Sequence, residues 1–301
     1  MAQEMQTNSL FVALVGKPNV GKSSLMNALV GERIAIVTQK PQTTRTKITG
    51  ILTREETQFV FLDTPGIHAP RTKLGERMVK AVTDTVADVD LAVMLFEPYG
   101  ELGDAEMDLI ADIAAKNLPA IAVVNKIDTL KAPEDLQERF AFLEDLGVFR
   151  AAYGISAREH EGIEDLLDIM GSYAQPGPHF FPDDSLTDMP EKAIVAEIIR
   201  EKLLLNLRDE IPHGTAVVIE SFKEREDKNI IDIEAEIFCE KKSHKGMIIG
   251  KGGAMLKKVA TEARLEIEGF LGVKVNLQCW VKVKDDWRDS DFLLNNFGFE
   301  K

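Results

Sequence analysis

The sequence predicts an α/β protein, with a mostly parallel sheet carrying helices on both faces, followed by a smaller α+β unit. Three observations predict it. In the first half, short apolar runs alternate with longer helical patterns. A glycine-rich loop, Gly16–Ser23, joins the first apolar run to the first helical pattern. After a proline-bearing break the chain resumes with an α-β-β-α-β pattern. Strands separated by helices indicate βαβ units. Ligands of such sheets bind beyond the carboxyl ends of the strands, so the motifs are sought there.

The elements follow in order. Leu10–Val15, Phe59–Leu62, Leu91–Phe96 and Ala120–Val124 read as buried strands, each ending at a polar or glycine-containing turn. Lys22–Val30, Gly75–Asp88 and Asp104–Lys116 read as helices. Gly171–Pro190 holds Pro176, Pro178, Pro182 and Pro190, a linker composition. Beyond it, Glu191–Asn206 is an amphipathic helix pattern. Thr215–Phe222 and Ile230–Cys239 are strand-like, Ala254–Phe270 is helical and Val273–Val283 is strand-like. The expected division is a first domain at 8–175, a linker at 176–190 and a second domain at 191–301.

Composition excludes several classes. The 301 residues are 45% hydrophobic and 29% charged, enough for two domains with their own cores. No apolar run approaches the roughly 20 residues of a membrane span. Met1–Leu10 has no positive region before an apolar stretch, so no secretory signal is expected. Two cysteines, Cys239 and Cys279, fit buried thiols in a reducing cytoplasm. No CxxC or His cluster suggests a structural metal. The net charge of −14 argues against nucleic acid, but it is uneven. Lys241–Lys284 holds ten Lys or Arg against three Glu, a +7 footprint on an acidic body.

Gly16-Lys17-Pro18-Asn19-Val20-Gly21-Lys22-Ser23 fits the phosphate-loop pattern between a strand and a helix. Its backbone N–H groups would point at phosphate, Lys22 would reach the β- and γ-phosphates, and Ser23 would ligate Mg²⁺. Asp63-Thr64-Pro65-Gly66 follows the next strand. A carboxylate there can hold Mg²⁺ through water, and Gly66 lets the backbone approach the γ-phosphate. Asn125-Lys126-Ile127-Asp128 follows the strand at 120–124. Asp128 can accept from both the N1–H and the 2-amino group of guanine, a donor pair adenine lacks. Asn125 and the Lys126 stem would brace the loop and stack on the base. Ser156 and Ala157 could present backbone N–H to guanine O6. Asn125 and Asp128 disfavour ATP.

Together these segments resemble the translation-factor-related, Ras-like GTPases. With Gln42-Thr43-Thr44-Arg45-Thr46, they are similar to the branch holding the Era family and the tRNA-modifying and ribosome-assembly GTPases. The resemblance implies that Thr44, with Thr43 as the near alternative, caps the γ-phosphate and ligates Mg²⁺. It implies that Asn19 helps hold a K⁺ bridging the phosphates. Catalysis would then rest on Asn19, Lys22, Thr44 and Gly66, with Ser23, Thr44 and Asp63 on the metal. Ile67 stands where Ras has its water-orienting glutamine, so intrinsic hydrolysis should be slow. His68 beside it reads as a solvated loop residue.

In the second half, Ile248-Ile249-Gly250-Lys251-Gly252-Gly253 ends a strand-like region and opens a helix carrying Lys257, Lys258 and Arg264. Glycines and a helix N-terminus can clamp the backbone of single-stranded nucleic acid, with Ile248 and Ile249 flanking a groove for bases. The segment resembles a type II KH domain, with a core at about 207–285. Trp280 reads as a core or packing residue, with a stacking role as the alternative. Trp287 and Phe292 read as packing a short C-terminal helix.

The combination covers nearly the whole chain and resembles the Era family of bacterial small-subunit assembly GTPases. That resemblance implies a P-loop, Ras-like GTPase domain with a KH domain. It also implies binding to 16S rRNA near its 3′ end and to the 30S subunit. A cytoplasmic monomer is expected, with peripheral inner-membrane association in some members. GTP would order Thr38–Thr46 and reposition the KH domain for RNA. Two alternatives are an assembly protein using GTP mainly for conformational stability and a GTPase of tRNA modification.

Overall fold

Buried apolar strands set the frame of the first unit. In the computed structural model, which describes residues 7–40, 42–67, 70–225 and 229–299, the chain forms two compact units. The first comprises Met1–Ala35, Thr44–Pro70 and Met78–Asp188. The second comprises Ile36–Thr43, Arg71–Arg77 and Met189–Lys301. The N-terminal reading at residues 1–6 and the reading of His68 lie outside the described residues.

The first unit runs β1 (Asn8–Gly16), α1 (Lys22–Val30), β2 (Ile48–Arg54), β3 (Thr57–Asp63), α2 (Lys73–Ala87, of which only the part from Met78 belongs to this unit) and β4 (Leu91–Phe96). It continues with α3 (Asp104–Ala115), β5 (Ala120–Val124), α4 (Pro133–Asp145), β6 (Ala152–Gly154), α5 (Ile163–Gly171) and β7 (Gln175–Pro176). The sheet order is β2-β3-β1-β4-β5-β6, with β7 on β1. β2 and β7 pair antiparallel and all other pairs are parallel. Every residue of β4 and β5 is buried, as expected of parallel strands covered on both faces. Met78, Val82 and Val86 on α2, one turn apart, join Leu109, Ile110 and Ile113 of α3 in burial. The strand order reverses at β1, so the loop after β1 sits at the crevice where such sheets bind ligands.

The proline-bearing stretch up to Asp188 lies within the first unit. Leu186 O accepts from Ile51 N at 2.8 Å, and Thr187 Oγ1 donates to Thr49 O at 2.6 Å. Gln58 Oε1 accepts from the backbone N–H of Phe180 and Phe181. The stretch therefore covers the open edge of β2, which would otherwise offer unpaired backbone groups.

The second unit adds α6 (Glu191–Asn206), β8 (Thr215–Glu224), β9 (Ile230–Cys239), α7 (Lys242–Ile249), α8 (Ala254–Leu271), β10 (Lys274–Val283) and α9 (Asp291–Asn296). Its sheet order is β10-β9-β8, with β9–β10 parallel and β8–β9 antiparallel. Alternate residues Ile231, Ile233, Ala235 and Ile237 of β9 are buried. They pack with Val195, Ile199 and Leu203 of α6 and with Val259, Ala263 and Ile267 of α8. Trp287 is fully buried, and its indole N–H donates to Gly214 O at 3.0 Å.

Three expectations are corrected here. The residues before the glycine loop are helical, not strand-like, because α7 completes a helix-loop-helix. Trp280 is 44% exposed, since it lies on the outward side of β10 while its neighbour Val281 faces the core. Phe292 is exposed, and Trp287, Phe297 and Phe299 supply the aromatic packing near α9 instead. Among the described residues no helix is long and apolar enough to cross a membrane.

Candidate functional site

Strand ends of the first unit deliver four loops to one crevice. The loop after β1 turns through Asn19 (φ 63) and Gly21 into α1. Lys22 is buried, and its ammonium donates to the carbonyls of Gly16 (3.0 Å) and Lys17 (2.9 Å). Burial pushes its pKa down to about 8, against the opposing pull of Asp63. Lys17 itself turns away to pair with the buried Glu106 at 2.6 Å.

Asp63 ends β3 and is fully buried. Its Oδ2 accepts from Ser23 Oγ at 2.6 Å and from Thr44 Oγ1 at 3.3 Å, and those two hydroxyls lie 2.9 Å apart. Its Oδ1 is buried without a partner. Burial raises its pKa to about 6, although Lys22 and the two hydroxyls pull it back. Two hydroxyls and a carboxylate with a spare oxygen form a hard-oxygen donor set suited to Mg²⁺. The residues therefore fit a divalent cation.

Thr43 is elsewhere. Its hydroxyl lies 2.7 Å from Thr38 Oγ1 and donates to Lys40 O at 2.7 Å. Thr44 is the threonine brought to Ser23 and Asp63. The next loop rests on the phosphate loop. Ile67 N donates to Gly16 O at 3.2 Å, and Thr64 Oγ1 is taken up by Leu14 O at 2.8 Å. A Cβ on Gly66 would stand 2.6 Å from the backbone of Pro18, so only glycine fits that approach. The Ile67 side chain packs against the apolar core, which fits its inability to orient water.

Asn125 knits the base side together. Its Nδ2 donates to Val20 O at 2.8 Å, and its Oδ1 accepts from Ala157 N at 3.0 Å. Lys126 Nζ donates to Asn19 O at 2.7 Å and reaches Glu97 Oε1. Asp128 accepts from Ser156 Oγ at 2.5 Å and pairs with Arg158 Nη2 at 2.9 Å. A carboxylate that takes guanidinium N–H groups can also take the N1–H and 2-amino donors of guanine. Arg158 is a partner the sequence reading missed. Its signal was a cation directly after Ser156-Ala157, on a loop returning to Asp128.

In the second unit, Gly250–Gly253 joins α7 to α8. Gly250 has φ 73, and a Cβ there would meet Met255 Cβ at 2.7 Å. Lys251, Lys257 and Lys258 are exposed around this turn. Ile249 is half-buried, but Ile248 is fully buried in the core and cannot line a groove. Its place on α7 directs it inward, where the sequence reading expected it to face bases.

A family model described as 50S ribosome-binding GTPase matches residues 11–126, and a KH domain model matches residues 210–288. The GTPase Era of Clostridioides difficile is 48% identical over 289 residues, 96% of this chain and 97% of that protein. The GTPase Era of a Thermoanaerobacter species is 50% identical, over 96% of this chain and 95% of that protein. A crystal structure of Era in complex with MgGDPNP and nucleotides 1506–1542 of 16S ribosomal RNA matches with a TM-score of 0.94. It is 33% identical and covers 98% of this chain and 100% of that one. An Aquifex aeolicus Era variant bound to GDP·AlF₄⁻ matches with the same TM-score, identity and coverage.

Proposed function

This chain belongs to the Era family of GTPases, and from that premise we propose a GTP-driven switch that binds 16S rRNA near its 3′ end during small-subunit maturation. The chain hydrolyses GTP to GDP and phosphate. The observation that carries the switch reading is the pairing, in one chain, of a guanine-reading loop at Asn125–Asp128 with a glycine turn flanked by exposed lysines at Gly250–Gly253. A relative in the same fold holds MgGDPNP and 16S rRNA nucleotides together, which supports joint use of the two sites. The proposed division is 8–175 for GTP, 176–190 as connection and 191–301 for RNA, with the connection as far as Asp188 packed on the first unit.

Each residue then has a task. Asp128 accepts from the guanine edge, Asn125 holds the loop, and the Lys126 stem covers the base. Ser156 orients Asp128, and Ala157 offers its N–H to O6. Gly16–Lys22 wrap the phosphates, with Lys22 leaving the Gly16 and Lys17 carbonyls for the β- and γ-oxygens. Ser23, Thr44 and Asp63 would hold Mg²⁺, which would supply neutralisation of phosphate charge. Gly66 brings its N–H to the γ-phosphate. Asn19 offers an amide oxygen suited to K⁺, so turnover should be faster in K⁺ than in Na⁺. Around the RNA, Ile249 flanks the turn, Gly250, Gly252 and Gly253 admit the backbone, and Lys251, Lys257 and Lys258 meet phosphates. The reading also holds the protein to be a cytoplasmic monomer that binds the 30S subunit, with a fraction peripheral to the inner membrane.

The test is RNA affinity at fixed salt, using a 16S rRNA 3′-end oligonucleotide with a GTP analogue, with GDP and with no nucleotide. Tight binding with the analogue alone supports the switch, and equal binding in all three removes it. The packing of Ile67 favours a second reading, in which GTP mainly stabilises an RNA-binding conformation and turns over very slowly. Turnover that stays negligible in both K⁺ and Na⁺ would select that reading.

A further inference from the structure

Arg200, Glu201 and Lys202 follow one another on α6, and their exposures are 3%, 0% and 8%. Successive helical residues point about 100° apart, so no single apolar neighbour can cover all three. Val37, Lys40 and Thr43, in the same compact unit, close over this part of α6 with polar groups. Arg200 Nη2 donates to the Thr43 carbonyl, while Arg200 Nε donates to Glu197 Oε1 at 2.7 Å. Glu201 Oε1 accepts from Val37 N at 3.2 Å, and its Oε2 accepts from Lys202 Nζ at 2.8 Å. Lys40 Nζ donates to Leu207 O, and Lys202 also pairs with Glu266 of α8. Asn206 of α6 donates to Glu262 of α8 at 2.6 Å.

Such a seam is reversible in a way an apolar one is not. Charges uncovered by a departing segment regain water, whereas uncovered leucines do not. The seam also ends at a telling place. The Thr43 carbonyl carbon is bonded to the nitrogen of Thr44, whose hydroxyl lies 2.9 Å from Ser23 Oγ. Arg200 Nη1 is buried without a partner, so the guanidinium has a donor to spare for this segment.

We propose that Arg200 and Glu201 are positioning residues for the hydrolytic centre. They hold Ile36–Thr43 so that Thr44 stands ready for the metal, and α8, which begins at the glycine turn, braces them through Glu266 and Glu262. This inference rests on the GTPase-switch reading and adds the residues that transmit it. By linkage, whatever fastens Thr44 at the metal also fastens Ile36–Thr43 on α6, and the reverse.

The experiment uses the full chain with Arg200→Ala, Arg200→Lys and Lys40→Ala. The Mg²⁺ concentration for half-maximal GTP turnover is measured, together with the ratio of RNA affinities in GTP analogue and in GDP. Arg200→Ala should raise the Mg²⁺ midpoint by about 5- to 10-fold and bring the affinity ratio towards one. Arg200→Lys keeps a donor and should recover part of both effects. Lys40→Ala, outside the buried charge cluster, should show a smaller change in the same direction and serves if Arg200→Ala does not fold. GDP affinity at saturating Mg²⁺ is the control. Wild-type midpoints and ratios in Arg200→Ala and Lys40→Ala would overturn the proposal. A wild-type affinity ratio of one would instead overturn the switch reading, and the Mg²⁺ midpoint would still test the positioning role.

Discussion

The proposed nucleotide corner and the turn proposed for RNA solve opposite problems. At the first, Lys22 and Asp63 are buried, one resting on backbone carbonyls and the other with an oxygen unsatisfied. At the second, Lys251, Lys257 and Lys258 stand in water, and the turn is shaped by glycine conformation. Discrimination between chemically similar small ligands needs desolvated groups that are costly when unpaired. Attraction of a polyanion needs mobile surface charge and works through counterion release. The first site is therefore expensive to maintain unliganded, and the second is nearly free.

The largest expected effect breaks the comparison at its discriminating end. Asp128→Asn should cost about 10³-fold or more in GTP affinity and shift preference towards xanthine, read by nucleotide competition. Retained GTP preference would remove Asp128 from the guanine edge. The same substitution should leave RNA affinity without nucleotide unaltered.

Next comes the expense of the buried carboxylate. The folded-state pKa of Asp63, about 6, lies above its ordinary value of 3.8. Below about pH 4 both folded and unfolded chains hold the proton, and the folded state has its full advantage. As pH rises through 6 the buried group ionises and that advantage is lost. Asp63→Asn should therefore stabilise the ligand-free first unit above pH 7, by on the order of 2–3 kcal/mol, and not at pH 4. Urea midpoints at the two pH values check this. Mg²⁺ affinity of the wild type should fall as pH drops below 6, because the cation needs the ionised form.

A smaller effect sharpens the other side. Lys257→Ala with Lys258→Ala should flatten the log–log salt dependence of RNA binding by about 0.7 for each phosphate that is no longer neutralised. Thermal stability should scarcely change, because the exposed Lys258–Glu262 pair, at 3.8 Å, contributes within about 0.5 kcal/mol. An unchanged salt slope would take these lysines off the RNA path.

Much of this was legible in the sequence, for a physical reason. β4 and β5 are apolar throughout, and β1 is apolar from Leu10 to Val15, because both faces are covered, and the motif residues lie at their ends. β2 was not legible, since Thr49, Gly50 and Thr53 interrupt its apolar run. α7 escaped because its first five residues, Lys242 to Gly246, are polar or glycine and it has no apolar stripe until its last turn. Ile248 illustrates a further limit. A local apolar pair cannot reveal whether it faces a groove or a core, and here the packing of α7 against β9 and β10 decides. The burial of Arg200, Glu201 and Lys202 was equally hidden, because charged residues on an amphipathic helix read as its solvent side.

The aromatic side chains divide the molecule in a way that experiment can use. Both tryptophans, Trp280 and Trp287, belong to the second unit. All three tyrosines, Tyr99, Tyr153 and Tyr173, belong to the first. The chain thus carries two intrinsic fluorophores sorted by unit. Indole emission follows unfolding of the second unit alone, with Trp280 open to a water-soluble quencher and Trp287 shielded from it. Phenol bands, separated from the indole bands in second-derivative absorbance, follow the first unit, so one unlabelled sample gives two melting curves.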